Sequence, residues 1–299
     1  MHTVTAPGRW GWRISGLVTA TALAIPGAWL IARAGIPANG RTPGIVTRTV
    51  TVTQPVTSVS VRSYGAPVRV TGGPGRHVRV TETLTYNPRN GAPAVTQSVS
   101  GGRLTLADPA CDVSVCSVSF ALTVPRDVAI TAASEGGAID VSGIAAANLD
   151  SGGAVVRATR IDGPLDVTTE DGPLILNGLT GPLHADTNGG TLRARDVAAA
   201  TVMVITGGGG ARIAFTTAPD SVIVSTDGGA ASLTVPGGPY ALTADSGAGH
   251  ELVGIATNPA ARRSITVSSG GGPLWIQPAT AGMPALPANP PGPPFPPAP

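Results

Sequence analysis

The sequence predicts an all-β protein whose main part is a β-solenoid, a single-stranded β-helix of about eight coils with ~19 residues each. Valine, threonine and alanine dominate the chain, which favours strands over helices. A glycine turn recurs eight times between residues 130 and 275. Apolar residues alternate with polar ones around these turns, as in half-buried strands. We expect a hairpin-rich β cap before the solenoid and one transmembrane helix before the cap.

The composition is that of a folded protein rich in turns, and it excludes some functions. The 299 residues include 41 Gly and 29 Pro, while 42% are hydrophobic and 3% are aromatic. The net charge is +2 and the 19 basic residues are spread thinly, so the sequence predicts no nucleic-acid partner. All of these basic residues are Arg, which excludes chemistry that depends on a lysine amine.

An uncharged apolar stretch from Ile14 to Ala32 predicts a transmembrane signal anchor. As a helix it would extend roughly 28 Å, close to the ~30 Å hydrocarbon core of a bilayer. Residues 1–13 would then be a short cytoplasmic N-terminus and residues 33–49 a linker. The chain would be a single-pass protein of the cell membrane with its C-terminal domain outside. A second interpretation stays open, in which Ala22-Leu23-Ala24 marks the cleavage site of a signal peptide and the protein is secreted.

The β cap is predicted over residues 50–125. Valine alternates with polar residues, as at Val59 and Val61, and glycine turns such as Gly65 separate the runs. A cap of this kind would cover the open end of the solenoid, since an uncovered strand edge invites aggregation. The repeats would then fill residues 126–277.

Each predicted coil contains two short strands joined by a glycine corner, and the corners recur at intervals of 16 to 24 residues. One coil cannot bury its apolar side, but a stack of coils can. We therefore interpret the glycines as structural corners, some of them at φ > 0, and not as a phosphate-binding loop, which needs one glycine turn that feeds a helix. The predicted structural turn residues are Gly137, Gly153, Gly172, Gly190, Gly229 and Gly272.

The residues before each corner repeat as well. Two positions before the turn every coil has a Ser, Thr or Asp whose side chain can hold a turn. These residues are Ser134, Asp150, Thr169, Thr187, Thr206, Thr226, Asp245 and Ser269. Six positions before the turn every coil has an apolar residue for the central stack, namely Ile130, Ala146, Leu165, Leu183, Val202, Val222, Ala241 and Ile265. After the turn another apolar residue follows, and Leu252 is expected on the same inner face as its counterparts in the other coils.

The two cysteines, Cys111 and Cys116, are predicted to form a disulfide because both interpretations of the N-terminus export this part of the chain. A metal or redox pair is the alternative, but further ligands and the Cys-x-x-Cys spacing are absent. Residues 278–299 contain ten Pro in 22 residues and predict a disordered tail that prefers polyproline II. Whether the tail is only a solvated end or engages a partner stays open.

Few side chains in the sequence could support catalysis. His184 and Asp166 occupy matching positions in consecutive coils, so we expect them side by side at the surface. No Gly-x-Ser-x-Gly elbow or His-Glu-x-x-His motif occurs. The sequence therefore predicts no enzyme, no catalytic residues, no cofactor and no metal site.

An ordered series of segments resembles a known family. The segments are "TSVSVRSYGAPVRVTGG", "VTQSVSGGRLTL", a Cys pair, "FALTVPRDVAITAASEGGAIDVSG" and "GPLDVTTEDGPLILNGLTGPL". Together they are similar to the bacterial putative-adhesin β-helix family, which was defined largely as a domain of unknown function. The resemblance covers residues 50–277 and implies an exported or membrane-anchored β-solenoid. It supplies no catalytic residues.

The predicted function is that of a non-enzymatic cell-envelope surface protein, an adhesin-like structural or binding module outside the membrane. Besides the membrane at Ile14–Ala32, its partners would be an envelope polymer or another envelope protein. An accessory or sensor subunit for envelope signalling is the alternative, and a polysaccharide-acting β-helix enzyme is a further one. Two interpretations stay open for five arginines of the repeats, which are either contacts for an anionic polymer or solvated side chains on outer strand faces. They are Arg157, Arg160, Arg193, Arg195 and Arg212.

Overall fold

The computed structural model describes residues 42–109 and 116–279, and every regular element in them is a β-strand. Among these residues there is no long apolar helix of the kind that crosses a membrane. The predicted anchor Ile14–Ala32, Cys111 and residues 280–299 of the tail lie outside the described residues. Cys116 begins a strand and is not a free cysteine, and the disulfide stays a prediction.

The strands are short, mostly of five or six residues. The first seven are β1 (Gly44–Val52), β2 (Ser58–Ser63), β3 (Val68–Gly73), β4 (Val78–Tyr86), β5 (Thr96–Ser100), β6 (Arg103–Ala107) and β7 (Cys116–Pro125). The next eight are β8 (Ala129–Ser134), β9 (Ile139–Ile144), β10 (Ala146–Ser151), β11 (Val156–Ile161), β12 (Leu165–Thr169), β13 (Leu174–Leu179), β14 (Leu183–Asp186) and β15 (Leu192–Val197). The last eight are β16 (Thr201–Ile205), β17 (Ala211–Phe215), β18 (Ser221–Ser225), β19 (Ala231–Val235), β20 (Ala241–Asp245), β21 (Glu251–Val253), β22 (Ser264–Ser268) and β23 (Leu274–Pro278).

These strands form two large, mostly parallel sheets, as a β-solenoid requires. Sheet A has the order β1-β4-β7-β3-β9-β11-β13-β15-β17-β19-β23-β21, and sheet B has the order β20-β22-β18-β16-β14-β12-β10-β8-β2-β6-β5. A coil is one strand from each sheet, and ten coils stack within the described residues. At ~4.8 Å between neighbouring strands the stack is roughly 43 Å long. The prediction of an all-β solenoid is confirmed.

Identical strand registers build the core. On sheet B, Leu165 pairs with Leu183 and Leu183 pairs with Val202, so apolar side chains stack from coil to coil. On sheet A, Leu174 and Leu192 pair in the same way. The inward side chains of both sheets form one continuous apolar column, and they are almost fully buried except in the outermost strands.

The coils do not stack in chain order at either end. The coil β2–β3 lies between β6–β7 and β8–β9. The outermost coil at this end therefore consists of strands that come later in the sequence than those of the second coil. At the other end β22–β23 lies between β18–β19 and β20–β21. The repeat alignment had placed these last two coils in simple succession.

The predicted cap over residues 50–125 divides into two kinds of structure. Strands β1, β4 and β5 pair antiparallel and cover the N-terminal end. Strands β2, β3, β6 and β7 belong to solenoid coils. The parallel pairing that makes them coils joins residues far apart in sequence, such as Val59 and Leu104, and the local pattern of alternation does not show it.

A column of nine buried Ser and Thr side chains lines the corner from sheet B to sheet A in the described residues. In eight coils the hydroxyl donates to the carbonyl oxygen three residues later, as from Thr169 Oγ1 to Gly172 O at 2.8 Å. In the ninth, Ser134 Oγ accepts from the Gly137 N–H at 2.9 Å. The predicted role of these positions is therefore correct for most coils.

Two coils differ from the repeat alignment by one residue. Ser151 and Ser246, not Asp150 and Asp245, occupy the buried corner position. The inward residues shift in the same way, from Ala146 to Ala147 and from Ala241 to Leu242. The assignment of Leu252 to the inner face was therefore wrong: its side chain is 54% exposed, because a shift of one residue moves a side chain to the other face.

Most corner glycines are required by space rather than by φ > 0. A Cβ on Gly190 would lie 2.2 Å from the carbonyl oxygen of Gly172 in the preceding coil. The same close approach occurs at Gly137, Gly172, Gly229 and Gly272. Of the six predicted turn residues only Gly153 has a positive φ, at 120°.

At these corners, positive φ values fall mainly on the two residues before the close-packed glycine. In one corner Asp227 has φ 43° and Gly228 has φ 106°, as at the centre of a type I′ turn. Gly229 then closes this turn by donating its N–H to the carbonyl oxygen of Thr226 at 3.0 Å.

Glu82 on β4 is the one buried acid of the antiparallel cap strands. Its side chain points inward beside Val80 and Leu84 and is only 5% exposed. Burial raises the pKa of Glu82 above its ordinary 4.5, and the nearby charge of Arg48 opposes this shift. The folded protein therefore holds the proton more tightly than the unfolded chain does.

Replacing Glu82 with Gln is expected to remove a pH dependence of stability. Because the folded pKa is raised, the contribution of the protonated Glu82 is fully present below pH 4.5 and is lost as the pH rises through the folded pKa. In thermal unfolding from pH 4 to pH 8, the midpoint of the variant should exceed that of the original chain by a margin that grows with pH. A constant margin over this range would contradict the assignment.

Candidate functional site

The outer face of sheet B carries the predicted pair of His184 and Asp166. They are register neighbours on β14 and β12, and His184 Nδ1 lies 3.2 Å from Asp166 Oδ1. Each side chain is about half exposed. A shallow depression of about 510 Å³ lies beside them, with Pro164, Pro182 and Met203 in its lining. The expected juxtaposition is confirmed.

This pair stands on the outer face of a sheet, and neither side chain takes part in another ion pair found in the described residues. Residues 42–109 and 116–279 contain no group of three or more His, Cys, Asp or Glu side chains placed to hold a metal ion. The next residues in the same row, Met203 and Ile223, are apolar and partly exposed. The pair therefore has neither the enclosure nor the converging groups of a catalytic site.

The outer face of sheet A carries a longer feature, which we call the arginine row: Arg69, Asp140, Arg157, Ile175, Arg193 and Arg212. Each member pairs in register with the next, on six neighbouring strands from β3 to β17. Their side chains point outward because they alternate with the buried residues of these strands. The regular parallel register thus turns scattered sequence positions into one straight line.

Four of the five predicted arginines lie on or beside this row. Arg157, Arg193 and Arg212 belong to it, and Arg195 lies two residues along β15 from Arg193. Arg160 is also exposed on β11, but at a kink where its φ is 53°. The outer side of sheet A therefore carries these arginines.

The charges along the arginine row are only partly balanced. Asp140 lies between two arginines, 3.5 Å from Arg69 Nη2 and 3.6 Å from Arg157 Nη1. Arg193, Arg195 and Arg212 take part in none of the ion pairs found in the described residues. Positive charge therefore accumulates over β15 and β17.

Sequence reasoning missed two members of this surface. Arg69 lies in a segment assigned to the cap, and Trp275 lies in the last predicted repeat, where it was given no role. Ser232 pairs with Arg212, and Trp275 pairs with Ser232, so the partly exposed indole continues the row on β23. The alternation of apolar and polar residues along its strand could have predicted that Arg69 points outward. The position of Trp275 could not be predicted in this way, because it depends on the order of the last coils.

The comparisons with known proteins concern the fold. No known family model and no curated protein matches the sequence. A solved structure of a putative adhesin from Parabacteroides distasonis matches with a TM-score of 0.55 and 13% identity, over 79% of this chain and 98% of that one. A putative adhesin from Parabacteroides merdae matches with a TM-score of 0.50 and 9% identity, over 78% of this chain and 95% of that one. The chain shares their fold. At this level of identity the likeness carries no residue roles.

Proposed function

We propose that the protein is a non-enzymatic, adhesin-like binding module displayed outside the cell membrane. The observation that carries this proposal is the arginine row on the outer face of sheet A. Arg193 and Arg212 lie in register on neighbouring strands, and like charges so placed are unfavourable for folding. Exposed charges that do not serve stability support a role in contact with a partner.

The scaffold favours binding over catalysis. Its core is a closed apolar column, its corners are bonded internally, and its functional side chains stand on flat outer faces. Flat charged faces hold extended partners, whereas catalysis needs groups that converge on a reacting atom. The two solved structures of similar fold carry the description putative adhesin, which supports the proposal without naming a ligand.

The display of this module depends on the N-terminal segment. We propose that Ile14–Ala32 remains as a single membrane anchor and that the solenoid follows on the outer side. If the segment is instead cleaved, the module is secreted, and its binding face is the same.

Surface display and attachment test this function directly. Cells that produce the full chain with a C-terminal epitope should lose the epitope when intact cells are treated with protease. They should also attach to immobilised envelope material several times better than cells without the chain. An epitope that stays protected in intact cells, with no gain in attachment, would contradict the proposal.

A further inference from the structure

We propose that the arginine row binds a linear acidic polysaccharide, whose chain lies along the solenoid axis and crosses the strands at right angles. The inference rests on the proposed function and names the chemical class of its ligand. It also assigns Trp275 as the platform on which a sugar ring stacks at the end of the row.

The spacing of the row suits a polymer with regularly placed acidic groups. Arg69, Arg157 and Arg193 stand on every second strand of sheet A, so they recur at ~9.6 Å intervals. Arg212 follows on the next strand. A straight row at constant spacing matches an extended chain that carries one carboxylate or sulfate per short repeat.

Guanidinium groups are well suited to such anions. An arginine binds a carboxylate through two parallel N–H donors, and it is more weakly hydrated than a lysine ammonium. Arg193, Arg195 and Arg212 lack an ion pair in the described part of the chain, so their donors are available to a ligand. An anion between Arg193 and Arg212 would also relieve their mutual repulsion.

The residues beside the row favour a sugar over a nucleic acid. The next outward row on the same strands consists of Thr71, Ser142, Thr159, Asn177 and Arg195. Hydroxyl and amide groups can hydrogen-bond to sugar hydroxyls along the whole length. Single-stranded nucleic acids are instead held by aromatic residues interleaved with basic ones. Among the described residues this face has one indole, that of Trp275.

Trp275 gives the row an apolar end. It lies two strands beyond Arg212, and the exposed Leu252 pairs with it on β21. An indole presents a large flat apolar surface against which the C–H face of a pyranose ring can pack. The charged side chains of the arginine row and the stacking surface of Trp275 thus lie one after the other along the same line of sheet A.

Asp140 is an internal competitor for the ligand. Its carboxylate lies within ion-pair distance of both Arg69 and Arg157, across a depression of about 400 Å³ lined by Thr71, Ser142 and Thr159. An acidic sugar at this point must displace that carboxylate. Removing the charge of Asp140 should therefore strengthen binding. A variant that was only partly folded would bind more weakly, so a gain in affinity cannot come from damage to the fold.

The experiment measures binding of the full chain to polygalacturonate, with neutral dextran and single-stranded polythymidylate as comparison probes. The double variant Arg193→Ser/Arg212→Ser should lose about tenfold or more in affinity and show a weaker dependence on salt. The matched control Arg62→Ser/Arg103→Ser removes the same charge from exposed positions on sheet B and should change affinity little.

Two further variants test the other parts of the site. Asp140→Asn should bind polygalacturonate severalfold more tightly at low salt, and Trp275→Ala should bind it more weakly at every salt concentration.

The outcomes separate this inference from the proposed function. Equal losses in the sheet A and sheet B double variants, or no gain with Asp140→Asn, would overturn it. Tighter binding of polythymidylate than of polygalacturonate would overturn it as well. If polygalacturonate fails to bind while the displayed chain still promotes attachment, the ligand class is wrong and the adhesin-like function stands. Thermal unfolding of each variant shows whether it is folded.

Discussion

Replacing Val222 with Asp is expected to prevent the solenoid from folding. Val222 lies on β18, is fully buried, and stacks between Val202 and Ile265 of the neighbouring coils. A carboxylate there would lose its water without gaining a partner, at a cost of more than about 4 kcal/mol. Because each coil is stable only against its neighbours, we expect the loss to spread to both sides. Circular dichroism and thermal unfolding would show a chain without a cooperative transition.

The next residue offers a matched control. Ile223 is also β-branched and lies on the same strand, but it points outward and is 43% exposed. Ile223→Asp should change the midpoint by only a few degrees, since surface substitutions usually stay within about 0.5 kcal/mol. If both variants unfold alike, or both fold alike, the assignment of the inner and outer faces of sheet B is wrong.

The second large effect concerns a single methyl group. Gly190→Ala would place a Cβ 2.2 Å from the carbonyl oxygen of Gly172, far inside van der Waals contact. This carbonyl belongs to the backbone of the preceding coil, so it cannot turn aside as a flexible side chain could. The two coils would have to separate at this corner, where Thr187 Oγ1 donates to Gly190 O at 2.5 Å. We expect a loss of roughly 3 kcal/mol or more in the free energy of unfolding, measured by denaturant titration.

Gly65→Ala is the control for this effect. Gly65 also lies at a corner, between β2 and β3, but a Cβ there would meet nothing within 4 Å, and its φ is not in the left-handed region. The variant should be unchanged or slightly more stable, because alanine restricts the unfolded chain by about 0.4–1 kcal/mol. Equal losses at Gly65 and Gly190 would show that glycine is needed at corners for another reason than the packing of coils.

The sequence was sufficient for the coil because the coil is a local structure. Alternation within a strand, a hydroxyl residue before the corner and glycine inside it recur in each repeat, and their spacing predicts stacking. The juxtaposition of His184 and Asp166 followed from the same regularity, since it joins consecutive coils.

The remaining features depend on contacts that no local pattern encodes. The order of the end coils is decided by pairing between strands distant in the chain, such as β18 with β22. Ser151 and Ser246 were missed because an Asp precedes each of them and fits a turn equally well in sequence. The need for glycine at position 190 comes from a carbonyl in another coil, which an argument from φ alone could not reveal.

The candidate site also combines residues that the repeat predicts with residues that depend on pairing between distant strands. Arg157, Arg193 and Arg212 were found because the repeat places them, whereas Arg69 and Trp275 join the row only through the pairing of β3 with β9 and of β19 with β23. The residues of a surface that extends across several coils can be predicted from the sequence only where the order of those coils can be predicted.

The inserted position of β22–β23 determines how the molecule bears tension. The C-terminal tail leaves the solenoid from β23, which is hydrogen-bonded on one side to β19 and on the other to β21. A pull on the tail therefore loads an inner strand held along both edges, and it cannot peel away the outermost coil first. When the load runs along β23, the hydrogen bonds on both of its edges are strained together, and we expect this end of the rod to resist mechanical extraction.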